Sequence, residues 1–209
     1  MSTQTHCRNN SKTPGRGPTS FWLQDPEHLF AELDLRPGQT VLDLGCGAGE
    51  YALRAALLVG PAGRVLAADL HRPYAEDVAA RALEQGLANV EPLACDMARD
   101  ALPVPDGCVD LCLVSTVLHG LTLGRSALAF AEVRRVLAPG GRLAVLEMQK
   151  REMPFGPPVE RRIAPEELRA HAESLDFSCV GVRDFEYSYL MVLRPAVTPL
   201  HRQDADHEE

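Results

Sequence analysis

The stretch VLDLGCGAG, residues 41–49, constrains this chain more than any other. Val41, Leu42 and Leu44 form a short apolar run interrupted only by Asp43. The run breaks into Gly45, Gly47 and Gly49, and a helical pattern begins at Glu50. Glycine tolerates backbone angles that other residues avoid, and it lets the chain approach a ligand with no Cβ in the way. A glycine turn between a strand and a helix is where open α/β sheets hold nucleotide-like cofactors. The pattern predicts that the chemistry of this chain sits on such a cofactor.

The rest of the chain repeats the alternation. A helix is predicted over Pro26–Leu35, with Asp25 as N-cap and Pro26 in its first turn. Strand one is Thr40–Leu44. A helix over Glu50–Val59 would turn Leu53, Leu57 and Leu58 inward. Further strands are expected at Arg64–Asp69, Val90–Cys95, Val109–Ser115 and Arg142–Glu147. Helices fall between them at Tyr74–Gln85, closed by Gly86, and at Arg125–Leu137, with Pro139-Gly140-Gly141 opening strand five. A Pro/Gly loop over 150–162, a helix at Pro165–Leu175 and two strands, Cys179–Phe185 and Tyr189–Leu193, close the fold. Strand–helix alternation predicts an α/β protein: a Rossmann-like open twisted sheet, mostly parallel, with helices on both faces. The last two strands, joined by a short turn, predict an antiparallel hairpin at one edge.

One domain over residues 21–196 is expected, between a polar tail at 1–20 and an acidic one at 197–209. Hydrophobic residues make up 45% of the chain, enough for a sizeable core. A net charge of -8, from 21 basic and 29 acidic residues, argues against nucleic acid as main partner. No apolar run is long enough to span a bilayer. Six cysteines without CxxC spacing read as reduced thiols of a cytoplasmic protein. No spacing suggests a metal site, and no Ser/His/Asp signature is present.

The glycine turn gains meaning from Asp69, which ends strand two about 20 residues downstream, where a carboxylate can accept from both ribose hydroxyls. The turn departs from the GxGxxG dinucleotide fingerprint, and Glu50 follows it. A carboxylate there disfavours a pyrophosphate and hence NAD or FAD. A cofactor with ribose and adenine, no phosphate and a cationic centre suits the acidic turn, and Asp43 adds a further carboxylate.

VLDLGCGAG, AADL, CDM, VDLCLVSTVLHG and LAPGGRLAVLE, in this order, resemble the motif series of class I S-adenosylmethionine-dependent methyltransferases. The similarity is to the small-molecule group that includes the ubiquinone/menaquinone-biosynthesis enzymes, and it covers about residues 25–195. It implies S-adenosylmethionine as cofactor, S-adenosylhomocysteine as product and a small-molecule methyl acceptor. Asp43, Gly45, Cys46 and Gly47 would line the methionine part. Asp69 would bind the ribose, and Leu70 would pack on the adenine. Asp96 would accept from the adenine amino group, Met97 would donate its backbone N–H to the ring, and Ser115 would offer its carbonyl to the ammonium. Asp96 taken alone reads more often as a capping or turn residue, and it becomes a ligand candidate only with the rest of the series. His119, just after strand four, reads either as a general base or acceptor-orienting residue, or as a histidine bonded to loop backbone. Thr116, His71 and Tyr51 read as positioning or packing neighbours. The first helix with Phe21 and Trp22 before it reads either as a helix packed on the sheet, the favoured reading, or as a cap over cofactor or substrate, and Met153 and Phe155 in the late loop could form another lid. A non-catalytic cofactor-binding protein of the same fold is the alternative function.

Overall fold

The computed structural model describes residues 19–196 except Thr122; both predicted tails lie outside the described residues apart from Thr19 and Ser20. Seven strands form one sheet: β1 (Thr40–Leu44), β2 (Arg64–Asp69), β3 (Val90–Ala94), β4 (Val109–Ser115), β5 (Leu137–Met148), β6 (Phe177–Asp184) and β7 (Ser188–Pro195). Their order is β3-β2-β1-β4-β5-β7-β6. The first five pair in parallel, and the β6–β7 hairpin is antiparallel at the edge, as the sequence predicts. The strand order reverses between β1 and β4, and this topological switch point is where open α/β sheets bind ligands, beyond the carboxyl end of β1.

Strand side chains alternate between faces. Leu42, Leu66, Cys112 and Val145 face one core, with Phe130, Val133 and Leu168. Val41, Val65, Leu113 and Leu146 face the other, with Leu29, Phe30, Ala56 and Val78. The first core is covered by α5 (Ala127–Val136) and α6 (Pro165–Glu173). The second is covered by α1 (Pro26–Leu33), α2 (Glu50–Val59) and α3 (Arg72–Glu84). Asp43 shares the parity of Val41, so its carboxyl enters the α2 side.

Local chemistry sets the boundaries. Asp25 caps α1 by accepting from the Glu27 N–H at 3.0 Å, with Pro26 in the first turn. The chain leaves α1 at Asp34 in the left-handed region, two residues before the predicted stop. Gly86, at φ +75°, follows α3 as expected, although that helix starts earlier, at Arg72.

Two expectations need correction. Leu57 is 55% exposed: the buried face of α2 is Tyr51, Ala52, Leu53, Ala55, Ala56 and Val59. Small alanines let the helix lie close on the sheet, and that turns Leu57 outward. Pro139-Gly140-Gly141 does not open strand five but lies inside it; β5 begins at Leu137, and its register against β4 shifts between Val109 and Leu111. An irregularity in the ladder gives the proline, which has no N–H, and a positive-φ glycine a place within a strand.

The loop after β5 is organised by Arg162, buried without a carboxylate partner among the described residues. Its guanidinium donates to the carbonyls of Pro157 (2.8 Å), Gln149 (3.3 Å), Arg151 (2.6 Å) and Phe155 (2.9 Å). The planar fork of arginine satisfies several backbone acceptors at once. Arg162→Met is expected to lower stability by about 3 kcal/mol and to expose residues 150–162 to protease. Urea denaturation and limited proteolysis check this; an unchanged cleavage pattern contradicts it.

Candidate functional site

The glycine turn is built from three left-handed residues, Gly45 (φ +89°), Gly47 (φ +49°) and Gly49 (φ +81°). The Gly45 and Cys46 N–H groups both donate to the Ala68 carbonyl at the end of β2, at 2.8 and 2.9 Å. The Gly47 N–H donates to Asp69 Oδ2 at 3.0 Å. A side chain at Gly45 would meet Val117, whose Cγ2 lies 2.6 Å from the Cβ position, so the segment after β4 packs directly on the turn. Asp69 Oδ1 accepts from the His71 N–H at 2.8 Å. That bond fixes the β2–α3 corner and leaves the His71 ring outside, against Tyr74.

Asp43 is the most informative group here. It is 1% exposed, and Oδ2 has no hydrogen-bond partner among the described residues. Burial pushes its carboxyl up to about 7; a hydrogen bond from the backbone of Ala52, in the first turn of α2, opposes the shift, and the charges of Asp69 and Glu50 reinforce it. Gly49 caps α2 without a side chain, so Asp43 supplies from the strand the acceptor the helix N-terminus lacks. An orphaned carboxyl oxygen below a cluster of acids favours a cation and repels a phosphate.

The remaining predicted residues follow along the same edge. Leu70 is 59% exposed just past β2, an apolar surface available to a ring. Asp96 Oδ1 accepts from the Ala98 N–H at 3.0 Å, a local turn, and Arg99 lies 3.7 Å from its other oxygen. Met97 is buried among core side chains. Cys46 is also buried.

Ser115, at the end of β4, belongs to a network outside the sequence prediction. A 3-10 turn, Ser20–Leu23, brings Ser20 Oγ to 3.1 Å from Ser115 Oγ and 3.0 Å from the Tyr51 hydroxyl, and Thr116 Oγ1 donates to it at 3.1 Å. Gln24 donates to the Tyr51 hydroxyl (3.0 Å) and accepts from Ser188 Oγ (3.0 Å). Tyr51 is therefore a positioning group, its hydroxyl pushed up by burial. Phe21 packs edge-on against Tyr51, while Trp22 is exposed. A cavity of about 500 Å³ opens beside Trp22, Gln24, His28 and Phe185 at the β6–β7 corner. Phe155 packs edge-on against Tyr187, in the turn between β6 and β7.

His119 lies on a short helix, α4 (Leu118–Leu121), directly after β4. Its Nδ1 is 2.9 Å from Oε2 of Glu147, and its backbone N–H donates to Oε1 at 3.3 Å. Glu147 is 1% exposed near the end of β5. Sequence reasoning singled out His119 and missed Glu147. The available signal was a lone carboxylate ending the apolar run LAVLE, the same signal that marked Asp69. Among the described residues no group of three or more His, Cys, Asp or Glu is placed to hold a metal, and no helix is long and apolar enough to cross a membrane.

Residues 41–141 match the family described as a methyltransferase domain (Methyltransf_25). Over 122 residues the chain is 40% identical to a ubiquinone/menaquinone biosynthesis C-methyltransferase, UbiE, of Cupriavidus metallidurans, covering 58% of this chain and 48% of that protein. The corresponding Burkholderia mallei protein is 38% identical over 121 residues, with the same coverage. The chain thus spans about half the length of the curated relatives it matches. Among solved structures, an S-adenosylmethionine-dependent methyltransferase of Aquifex aeolicus superposes with a TM-score of 0.77 at 29% identity, covering 85% of this chain and 93% of that one.

Proposed function

The chain belongs to the class I S-adenosylmethionine-dependent methyltransferases, and we propose on that premise that it transfers a methyl group from S-adenosylmethionine to a small-molecule acceptor. The observation that carries the reading is the buried, half-satisfied carboxyl of Asp43 under a phosphate-hostile glycine turn. S-adenosylmethionine, when bound, supplies an activated methyl on a sulfonium. The chain's part is then to hold, align and exclude water, which can contribute roughly 7–11 kcal/mol of barrier reduction through orientation alone.

In this reading the turn of Gly45, Cys46 and Gly47 lines the amino-acid end, with Asp43 answering its positive charge and the Ser115 carbonyl nearby. Asp69 takes the ribose hydroxyls with the lone pairs its two backbone N–H bonds leave free. Leu70 packs on the adenine, and Asp96 and Met97 bind its polar edge. The aromatic and polar rim at Trp22, Gln24, His28 and Phe185 suits a small, partly apolar acceptor. The acidic balance of the chain supports a partner other than nucleic acid. The relatives' printed activity, C-methylation in quinone biosynthesis, supports the small-molecule class.

Calorimetry with S-adenosylmethionine and S-adenosylhomocysteine tests the proposal. Wild type should bind both, and Asp69→Ala should weaken binding by about 30-fold, the value of charge-assisted bonds to two hydroxyls. Absence of binding to wild type overturns the reading. Binding without turnover across a wide acceptor panel would instead favour a non-catalytic binding protein, and NAD(H) should not bind.

A further inference from the structure

We propose that Glu147 is a positioning residue that locks the His119 ring as the Nδ1–H tautomer, so that Nε2 acts as proton acceptor for a methyl acceptor bearing an acidic X–H, such as a phenol or enol hydroxyl. The inference rests on the methyltransferase reading and names the substrate class of the same site.

Four observations carry it. Glu147 lies near the carboxyl end of β5 and His119 on α4 just past the carboxyl end of β4, the strand beside it, so both stand at the same edge of the sheet. The imidazole–carboxylate contact is short, 2.9 Å, and its carboxylate is fully buried. Both Glu147 oxygens accept from the same residue, one from the ring and one from the backbone N–H, which fixes ring position as well as tautomer. His119 Nε2 has no hydrogen-bond partner among the described residues, and the side chain keeps partial exposure. An ionised carboxylate only accepts, so Nδ1 donates the proton to it, and in the neutral ring Nε2 then carries the lone pair. A structural histidine in a loop needs no buried charge to orient it. Burying a carboxylate costs several kcal/mol unless it is paired, and here its partner is a group able to become cationic.

The chemistry balances. The X–H bond of the acceptor breaks and its proton goes to His119 Nε2. The electron pair left on X forms the new bond to the methyl carbon, and the carbon–sulfur pair stays on sulfur. The imidazolium so formed faces the Glu147 carboxylate, which stabilises it in place. General-base assistance of this kind contributes about 10²–10⁴-fold. A thiolate or a neutral tertiary amine would have no use for it, so the dyad selects for acceptors that must lose a proton.

The test is tautomer-resolved NMR of the full chain labelled with 13C,15N-histidine and loaded with S-adenosylhomocysteine, His119 being assigned from the signal missing in His119→Gln. Wild type should show His119 with a protonated Nδ1 and a bare Nε2. In Glu147→Gln the amide can accept at only one atom, so the Nε2–H tautomer should rise by about tenfold or more. A wild-type ring protonated at Nε2, or a tautomer ratio unmoved by Glu147→Gln, overturns the proposal; the wild-type spectrum decides even if that variant fails to fold. Calorimetry with S-adenosylmethionine separates the two readings. Affinity within threefold of wild type in His119→Gln is expected, whereas a loss matching Asp69→Ala makes His119 a cofactor ligand and sinks the dyad. A wild type that binds no cofactor sinks the methyltransferase reading itself.

Discussion

Gly49→Ala will destabilise the fold by about 3 kcal/mol and abolish measurable cofactor binding at concentrations that saturate wild type. Two costs add. Alanine at φ +81° occupies left-handed backbone, at about 1–2 kcal/mol. Its Cβ would stand 2.3 Å from Cγ2 of Val78, a fully buried residue of α3, and overpacking a core contact costs about 1–3 kcal/mol. The clash can be relieved only by moving α3 off α2 or by unwinding the turn that carries Gly47, whose N–H holds Asp69. A double-mutant cycle isolates the steric part. In a Val78→Ala background the two γ-methyl clashes are gone and only the tight 3.0 Å approach to the residue 78 Cβ remains, so the same substitution should cost mainly the backbone strain, about 1–2 kcal/mol. Urea denaturation of the four proteins reads the coupling; a Gly49→Ala penalty unchanged by Val78→Ala would contradict the packing argument.

The glycine turn was visible in the sequence because its signal is local. Strand β1, helix α2, strand β2 and strand β4 fall on their predicted bounds, since each pairs a short apolar run with an adjacent breaker. The edge hairpin was legible for the same reason. What escaped depended on contacts between distant residues. Ser20 and Gln24 lie in or beside the polar N-terminal stretch, where nothing local marks them. They acquire a role only because Tyr51, Ser115 and Ser188 are brought to them across the sheet edge. Leu57 has the periodicity of a core residue but faces water, because alanines on the other side of α2 set its approach to the sheet. Glu147 became informative only when the order β4–β5 placed it under His119. Asp43 was identified from the motif, yet its raised pKa and orphaned oxygen come from burial, which no spacing rule reports.

Asp43→Asn separates the cofactor's charge from its shape through pH. Burial raises the Asp43 carboxyl to about 7 in the folded chain, against an ordinary value near 3.8. Between these values the folded state holds a proton that the unfolded chain releases. The contribution of Asp43 to stability is therefore greatest at low pH, is lost as pH rises from about 4 through about 7, and stays lost above. The loss integrates to on the order of 4 kcal/mol at most. The asparagine variant has the same shape and no charge. It should come nearest to wild type below about pH 4 and exceed it increasingly from there to pH 8, the difference between the two cancelling every other titration. A cation seated on Oδ2 reverses the preference, because it favours the ionised carboxylate. Wild-type affinity for S-adenosylmethionine should then rise about tenfold per unit between pH 5 and 7, with a proton released on binding, and level off above. Asp43→Asn should bind more weakly at pH 8 and lose that slope. Calorimetry in two buffers of different ionisation enthalpy counts the proton. A slope that survives in Asp43→Asn would mean that the charge answering the cofactor lies elsewhere on the turn, at Glu50 or Asp69.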